Sequence, residues 1–205
     1  MGLTLYYVPQ TRAGRARWML EELAVPYAIE KIDVKARQND GPAYRKIHPL
    51  GHVPALHDSD GDVTMFESAA ICMYLADKFP AKQLAPAFGS PARGLYYQWM
   101  VFSMAELEPS VAALAVLNRI PEADRDASKV AEKRARFDEV AGVVTKDLVD
   151  RGYEYMMGSA FSAADVMVVG VLGWARIMGT PMAPELLAYM QRCTAREAFK
   201  KSRAD

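Results

Sequence analysis

The chain has 205 residues, and its 25 lysines and arginines match its 25 aspartates and glutamates, leaving no net charge. That balance speaks against a nucleic-acid binder, which needs a basic surplus on one face, and against a polybasic membrane-surface protein. With 51% apolar and 24% charged residues the composition is globular, long enough for one large or two small domains.

Leu3 to Val8 (LTLYYV) is rich in strand formers and ends at Pro9, so it reads as a strand. Arg12 to Ala24 carries Ala13, Ala16, Leu20 and Leu23 at helical spacing and stops before Pro26. Tyr27 to Val34 alternates as a second strand, and Asp40 to Ile47 reads as a short irregular helix ended by Pro49 and Gly51. Val53 to His57 and Val63 to Phe66 are brief strands joined by Asp58-Ser59-Asp60-Gly61, whose Asp-Gly signals a hairpin. Glu67 to Phe79 is a helix with Ala70, Ile71, Tyr74 and Leu75 on its apolar face. The order β-α-β-α-β-β-α predicts a parallel first pair, joined by a crossover helix, and an antiparallel last pair.

The proline-rich stretch 81–91 reads as a linker between an α/β domain over 1–80 and an all-α domain over 92–205. Ala92 to Leu117 is predicted as one helix, apolar on two stripes and kinked at Pro109; Glu122 to Val149 is a more amphipathic one. Phe161-Ser162-Ala163-Ala164-Asp165-Val166 is a helix-start signature, with Ser162 capping and Asp165 reaching back to its amide. The run from Val166 to Met178 is apolar nearly all round and predicts a buried central helix; short helices follow Pro184 and Ala195.

Cys72 and Cys193 lie far apart, without CxxC or a Cys/His cluster, which disfavours a disulfide scaffold, structural zinc or dithiol chemistry. The N-terminus lacks the order of a signal peptide, and no apolar run approaches a membrane span; a soluble cytoplasmic protein is expected. His48, His52 and His57 fall close together, but Pro49 and Gly51 break any helix that would align the first two, so no metal site is expected.

Two segments carry the chemistry. Pro54 enters a strand where proline removes a ladder donor; a cis Val53–Pro54 bond would offer the Val53 backbone to an extended peptide, and an ordinary edge-strand proline is the alternative. Glu67 and Ser68 open a helix whose free N–H groups suit a carboxylate, with Glu67 answering an ammonium; simple capping is the alternative.

The strand-ending Tyr-x-Pro, then Gly-His-Val-Pro-Ala-Leu, then Phe-Glu-Ser-Ala-Ala-Ile-Cys-Met-Tyr-Leu resembles the glutathione-binding half of cytosolic glutathione transferases. Phe-Ser-Ala-Ala-Asp capping a buried helix resembles their C-terminal domain. The resemblance implies a thioredoxin-like N-terminal domain, an all-α C-terminal domain and usually a homodimer. It implies that Val53 pairs with the cysteinyl backbone of glutathione, that Pro54 is cis, and that Glu67 and Ser68 hold the γ-glutamyl end. His52, and with less support Arg45, would stand near the glycyl carboxylate. Glutathione is then a co-substrate, with no other cofactor. The electrophile would lie between the domains, with Met100, Ser103, Met104 and Leu107 as lining candidates and plain helix packing as their alternative.

Thiol activation falls to the loop after the first strand. A free thiol has a pKa of about 8.5, and lowering it by two units takes about 2.7 kcal/mol of preferential anion stabilisation. A hydroxyl at the first helix N-terminus can supply much of this. Thr11 stands where serine-type members place their hydroxyl, Tyr7 near the tyrosine of tyrosine-type classes, and Arg12 offers charge; Thr11 ranks first, with Tyr7 and Arg12 level behind it. The expected function is conjugation of the glutathione thiolate to a small electrophile. The alternatives are a catalytically silent scaffold of the same fold, or glutathione-dependent peroxide or disulfide reduction.

Overall fold

The computed structural model describes residues 2–204. The chain divides into two compact units, one running to Leu84 and taking up the residues from Ala195 on, the other spanning Ala85–Thr194.

In the first unit β1 (Leu3–Tyr7) lies between β2 (Tyr27–Lys31), parallel to it, and β3 (Ala55–Asp58), antiparallel; β4 (Val63–Phe66) closes the hairpin. The parallel pair needs a crossover, and α1 (Ala13–Leu23) supplies it. Ala13, Ala16, Met19, Leu20 and Leu23 are wholly buried. The helix ends where Ala24 turns left-handed (φ 51°), ahead of Pro26. Leu3, Leu5 and Tyr7 of β1 point to the buried face, while Tyr6 stacks edge-on against Tyr44 at 5.9 Å on the other. Tyr44 belongs to the one-turn helix α2 (Pro42–Arg45), preceded by a 3₁₀ turn, Gln38–Asp40, in place of one irregular helix. The second strand ends at Lys31 rather than Val34, although Ile32 N–H still donates to the Tyr7 carbonyl at 3.0 Å.

The hairpin turn differs from the Asp-Gly expectation in its mechanics. Asp62, not Gly61, takes the left-handed conformation (φ 47°), and Asp58 holds the turn by accepting the Asp60 amide at 3.1 Å. The Asp58 carboxylate is buried; Tyr74 O–H donates to it, and Lys78 Nζ lies 2.5 Å away. Burial alone would raise its pKa, but Lys78, Tyr74 and the Asp60 amide outweigh it and hold the group below its ordinary value. Both partners come from α3 (Ser68–Lys78), which buries Ile71, Cys72, Leu75 and Ala76.

The last helix, α9 (Glu197–Ser202; α4–α8 are placed below), belongs to this unit, whereas the sequence reading assigned all of 92–205 to the helical domain. The reason lies on α1. Arg196 grips Glu22 with two bonds of 2.7 Å, Phe199 stacks edge-on against Trp18 at 4.8 Å, and Arg17 donates to the Lys201 carbonyl at 3.5 Å.

The second unit is helical, and the described residues beyond β4 hold no further strand. Helix α4 (Pro91–Phe102) starts at Ser90, whose hydroxyl accepts the Arg93 amide at 3.2 Å. A π-helical turn, Ser103–Leu107, joins it to α5 (Glu108–Asn118). The interruption expected at Pro109 therefore takes the form of this π-helical turn just before it. Pro109 sits in the first turn of α5, where its missing N–H and fixed φ cost little. The joined run Pro91–Asn118 has the length and mean hydropathy (1.5) of a membrane span, which the sequence reading did not find. Yet Tyr96, Trp99, Met100, Leu107 and Val111 are buried within the protein, and Glu106 and Glu108 interrupt the run.

Helix α6 (Ala127–Arg151) is capped by Asp126 and ends at Gly152, φ 62°. α7 (Ala163–Ile177) is the buried helix, and α8 (Pro184–Thr194) packs on it. The expected capping box is present. Asp165 accepts four bonds, from the Ser162 amide (2.8 Å) and hydroxyl (2.9 Å), the Met156 amide (2.8 Å) and the Tyr189 hydroxyl (2.8 Å).

Candidate functional site

Strand register gathers the candidate residues at one end of the first sheet. Ala55 faces Tyr6 across β1–β3 and Phe66 across β3–β4. At this same end of the sheet β1 runs out into Tyr7 and the loop after it, β3 is entered from Val53–Pro54, and β4 leads into Glu67 and Ser68. The Val53–Pro54 bond is cis, as the resemblance implied. Val53 stands outside both ladders, which begin at Ala55.

The segment leading into Val53 is braced from behind. Arg45 donates to the Pro49 carbonyl (2.8 Å), Asn39 to that of Gly51 (3.0 Å), and the Tyr44 hydroxyl to that of His52 (2.8 Å). Gly51 is left-handed (φ +66°), and a Cβ there would stand 2.5 Å from the Asn39 carbonyl oxygen, so only glycine fits. His52 is exposed. His48 is buried, 4.7 Å from the Phe66 ring and 5.5 Å from that of His52. Burial first, and His52 second, lower the His48 pKa, with Glu67 pulling the other way. Arg45 also pairs with Asp40 at 3.3 Å, so its guanidinium serves the loop itself.

At the start of α3, Glu67 is exposed and adopts φ 74°, with no side-chain bond to the helix end. A non-glycine residue held there is strained in the manner of ligand-binding positions. Ser68 is buried, and its hydroxyl accepts from Arg15 Nη1 at 3.4 Å. Arg15 was not anticipated. The signal for it was an arginine on the buried stripe of α1, beside Ala13 and Ala16. Asn39 and Tyr44 were also missed, since their role is to hold backbone carbonyls far along the chain.

The loop after β1 has Gln10 in the left-handed region, φ 57°. Thr11 is exposed; its hydroxyl donates to the Val8 carbonyl (2.7 Å) and accepts the Ala13 amide (3.2 Å). Its single proton is thus engaged within the loop. Tyr7 is buried, with Arg17 donating to its oxygen at 3.5 Å and lying 5.2 Å from its ring centre. Arg12 is exposed at the start of α1. The Cys72 thiol is pushed up to about 12 by burial, against a downward pull from Arg15, and is no nucleophile at neutral pH.

Of the electrophile candidates, Met100 and Leu107 are buried, Ser103 is buried with its hydroxyl on the Trp99 carbonyl (2.7 Å), and Met104 is half-buried. Glu106 pairs with Arg136, and Glu108 is buried. The second unit contains a cleft of about 450 Å³ between α6 and the start of α8, floored by Phe137, Ala141 and Leu186. None of the four candidates lines it.

The glutathione S-transferase N-terminal domain model matches residues 12–78, and the C-terminal domain model matches 98–197. The chain is 34% identical to Glutathione S-transferase 3 of Schizosaccharomyces pombe over 177 residues, covering 80% of this chain and 70% of that protein. It resembles the ternary complex of BphK, a bacterial glutathione S-transferase, with a TM-score of 0.83 and 30% identity over 98% of this chain and 97% of that one. The sphingomonad glutathione S-transferase complexed with glutathione gives a TM-score of 0.82 and 28% identity, covering 98% and 96%.

Proposed function

The chain belongs to the glutathione S-transferase family, and from that premise we propose that it binds glutathione as an extended peptide and transfers the thiolate to a small electrophile. The observation that carries this reading is the register that brings Val53–Pro54, Glu67–Ser68 and the Tyr7–Arg12 loop to one end of the sheet. Val53, outside the ladders, offers N–H and C=O to the cysteinyl unit, as an added strand would use them. Ser68 and the α3 N-terminus receive the γ-glutamyl carboxylate, and the exposed Glu67 receives its ammonium. His52 addresses the glycyl carboxylate, while Arg45 holds the loop rather than the peptide.

Thr11 is our first choice for the thiolate partner. Its hydroxyl turns from the Val8 carbonyl to the sulfur, at the end of α1 where the helix field favours an anion. The sulfur lone pair then forms the new S–C bond, and the leaving group departs with its bonding pair. Glutathione is the co-substrate, with no further cofactor, and the site of action is cytoplasmic. A homodimer is supported by Tyr97 and Val101, exposed one turn apart on α4.

The test is the thiol pKa of bound glutathione, read from the ultraviolet thiolate band in wild type, Thr11→Ala, Tyr7→Phe and Arg12→Ala. A value about two units below the free thiol's 8.5 or so, raised in one variant, supports the transferase. Binding without a shift favours a second reading, a protein that recognises glutathione without activating it. The engagement of the Thr11 proton on Val8 is the observation on that side.

A further inference from the structure

We propose that Arg15 is a positioning residue for the γ-glutamyl carboxylate, orienting the Ser68 hydroxyl and adding fixed positive charge behind the α3 N-terminus. The inference rests on the glutathione reading above. Arg15 lies on α1, is only 5% exposed, and reaches across to Ser68 Oγ at 3.4 Å. A serine hydroxyl has one proton and two lone pairs. With one lone pair turned to the guanidinium, the proton can be aimed at an incoming oxygen anion.

The charge also reaches into α3. Cys72 lies one turn along that helix, and Arg15 draws its thiol pKa downward even though burial dominates. The guanidinium therefore acts in the same sense as the positive end of the helix dipole, and it keeps its charge at every working pH. A carboxylate docking at Ser68 meets the hydroxyl proton, the free first-turn amides and this charge together. A structural pin between α1 and α3 would use the same contact, but it would be indifferent to whether the ligand carries a carboxylate.

Calorimetry on the full chain separates the two. The ligands are glutathione and the analogue whose glutamyl α-carboxylate is an amide; the proteins are wild type, Arg15→Gln, Arg15→Lys, Ser68→Ala and the Arg15→Gln/Ser68→Ala double variant. Arg15→Gln should weaken glutathione about tenfold, the scale of one charge-assisted hydrogen bond, and change the amide's affinity by less than about twofold. Arg15→Lys should recover part of the loss, and the double variant should bind glutathione within about twofold of the weaker single variant, since the two residues act through one contact. Equal losses for both ligands, or none for either, overturn the proposal. Failure of the wild type to bind glutathione overturns the glutathione reading and this inference with it; binding with equal losses overturns only the inference. Should the Arg15 variants not fold, the guanidinium ¹⁵N resonances of Arg15 in the wild type decide. They should move with glutathione and not with the amide, and equal movement overturns the proposal.

Discussion

Asp165 offers the sharpest test of how the helical unit is held together. Its carboxylate is wholly buried and accepts the Met156 and Ser162 amides, both at 2.8 Å, and the Ser162 and Tyr189 hydroxyls. In Asp165→Ala the hydroxyls can turn away, but the two amides are fixed by the backbone. Each orphaned donor costs about 1–3 kcal/mol. The reach-back half of the capping box is included in that figure, since it is the bond to the Ser162 amide. Removing a buried charge, whose pKa burial raises despite the four donors, gives some of this back. The net expectation is a loss of about 3–5 kcal/mol, a large part of the 5–15 or so that holds a typical domain. Asp165→Asn keeps one acceptor and sets its amide against one N–H, so it should cost about 1–3 kcal/mol. Urea unfolding followed by circular dichroism measures both, and in a Trp18→Phe background the fluorescence of Trp99 and Trp174 reports on the helical unit. An Asp165→Ala variant within about 1 kcal/mol of wild type would refute the argument.

Asp58 is the counterpart in the first unit, with the opposite sign of pH dependence. Its folded pKa is lowered, so its stabilisation is full above the unfolded value of about 3.9 and is lost as pH falls through the folded one. Asp58→Asn should flatten the acid limb of thermal stability below about pH 4, and an unchanged limb counts against the ion pair. For Asp165 the folded pKa is raised, so its own contribution declines as pH climbs above about 4; the gap between the melts of wild type and Asp165→Asn should be widest in acid and narrow toward neutral pH, and a gap that widens with pH counts against the buried carboxyl. Thr11→Val should raise the bound glutathione thiol pKa by about a unit or more while Thr11→Ser leaves it in place; equal values in all three would remove the hydroxyl from the mechanism. Gly51→Ala forces a Cβ to 2.5 Å from the Asn39 carbonyl at φ +66°, and should cost about 1–3 kcal/mol and weaken glutathione binding. Calorimetry and equilibrium unfolding check both halves of that expectation.

Periodicity and turn chemistry made most of the first unit legible, because each of its strands and helices is short and punctuated. The capping box at Ser162–Asp165 was equally visible, since both partners lie within one turn. What was not visible depended on residues far apart in the chain. The hairpin turn has Asp62 in the left-handed position, and Asp58 at its start is tied to Tyr74 and Lys78 on another element. Near Pro109 the helix carries a π-turn, whose altered bonding accommodates a ring that cannot donate to the preceding turn. The allegiance of α9 to the first unit follows from Glu22, whose side chain is 4% exposed and takes both ends of the Arg196 fork. No local pattern in residues 195–204 announces that partner.

The same distinction runs through the site. Pro54 stands out because proline is unusual in a strand, and Glu67 and Ser68 because they open a helix within the Phe-Glu-Ser-Ala-Ala-Ile run. Arg15 and Tyr44 do not, because what they hold lies 53 and 8 residues away and has no mark of its own. Thr11 shows the limit most clearly. From sequence it is a hydroxyl beside a helix start, and both capping and thiol activation need that. In the structure the hydroxyl accepts from Ala13 and donates to Val8, so one proton answers two demands. A thiolate can claim it only by out-competing the Val8 carbonyl. A charged acceptor does so readily, since hydrogen bonds to anions are roughly twice as strong as neutral ones. The exchange favours the proton moving only when the sulfur is ionised. On the proposed reading Thr11 would therefore stabilise the thiolate far more than the thiol, which is the difference that lowers a pKa.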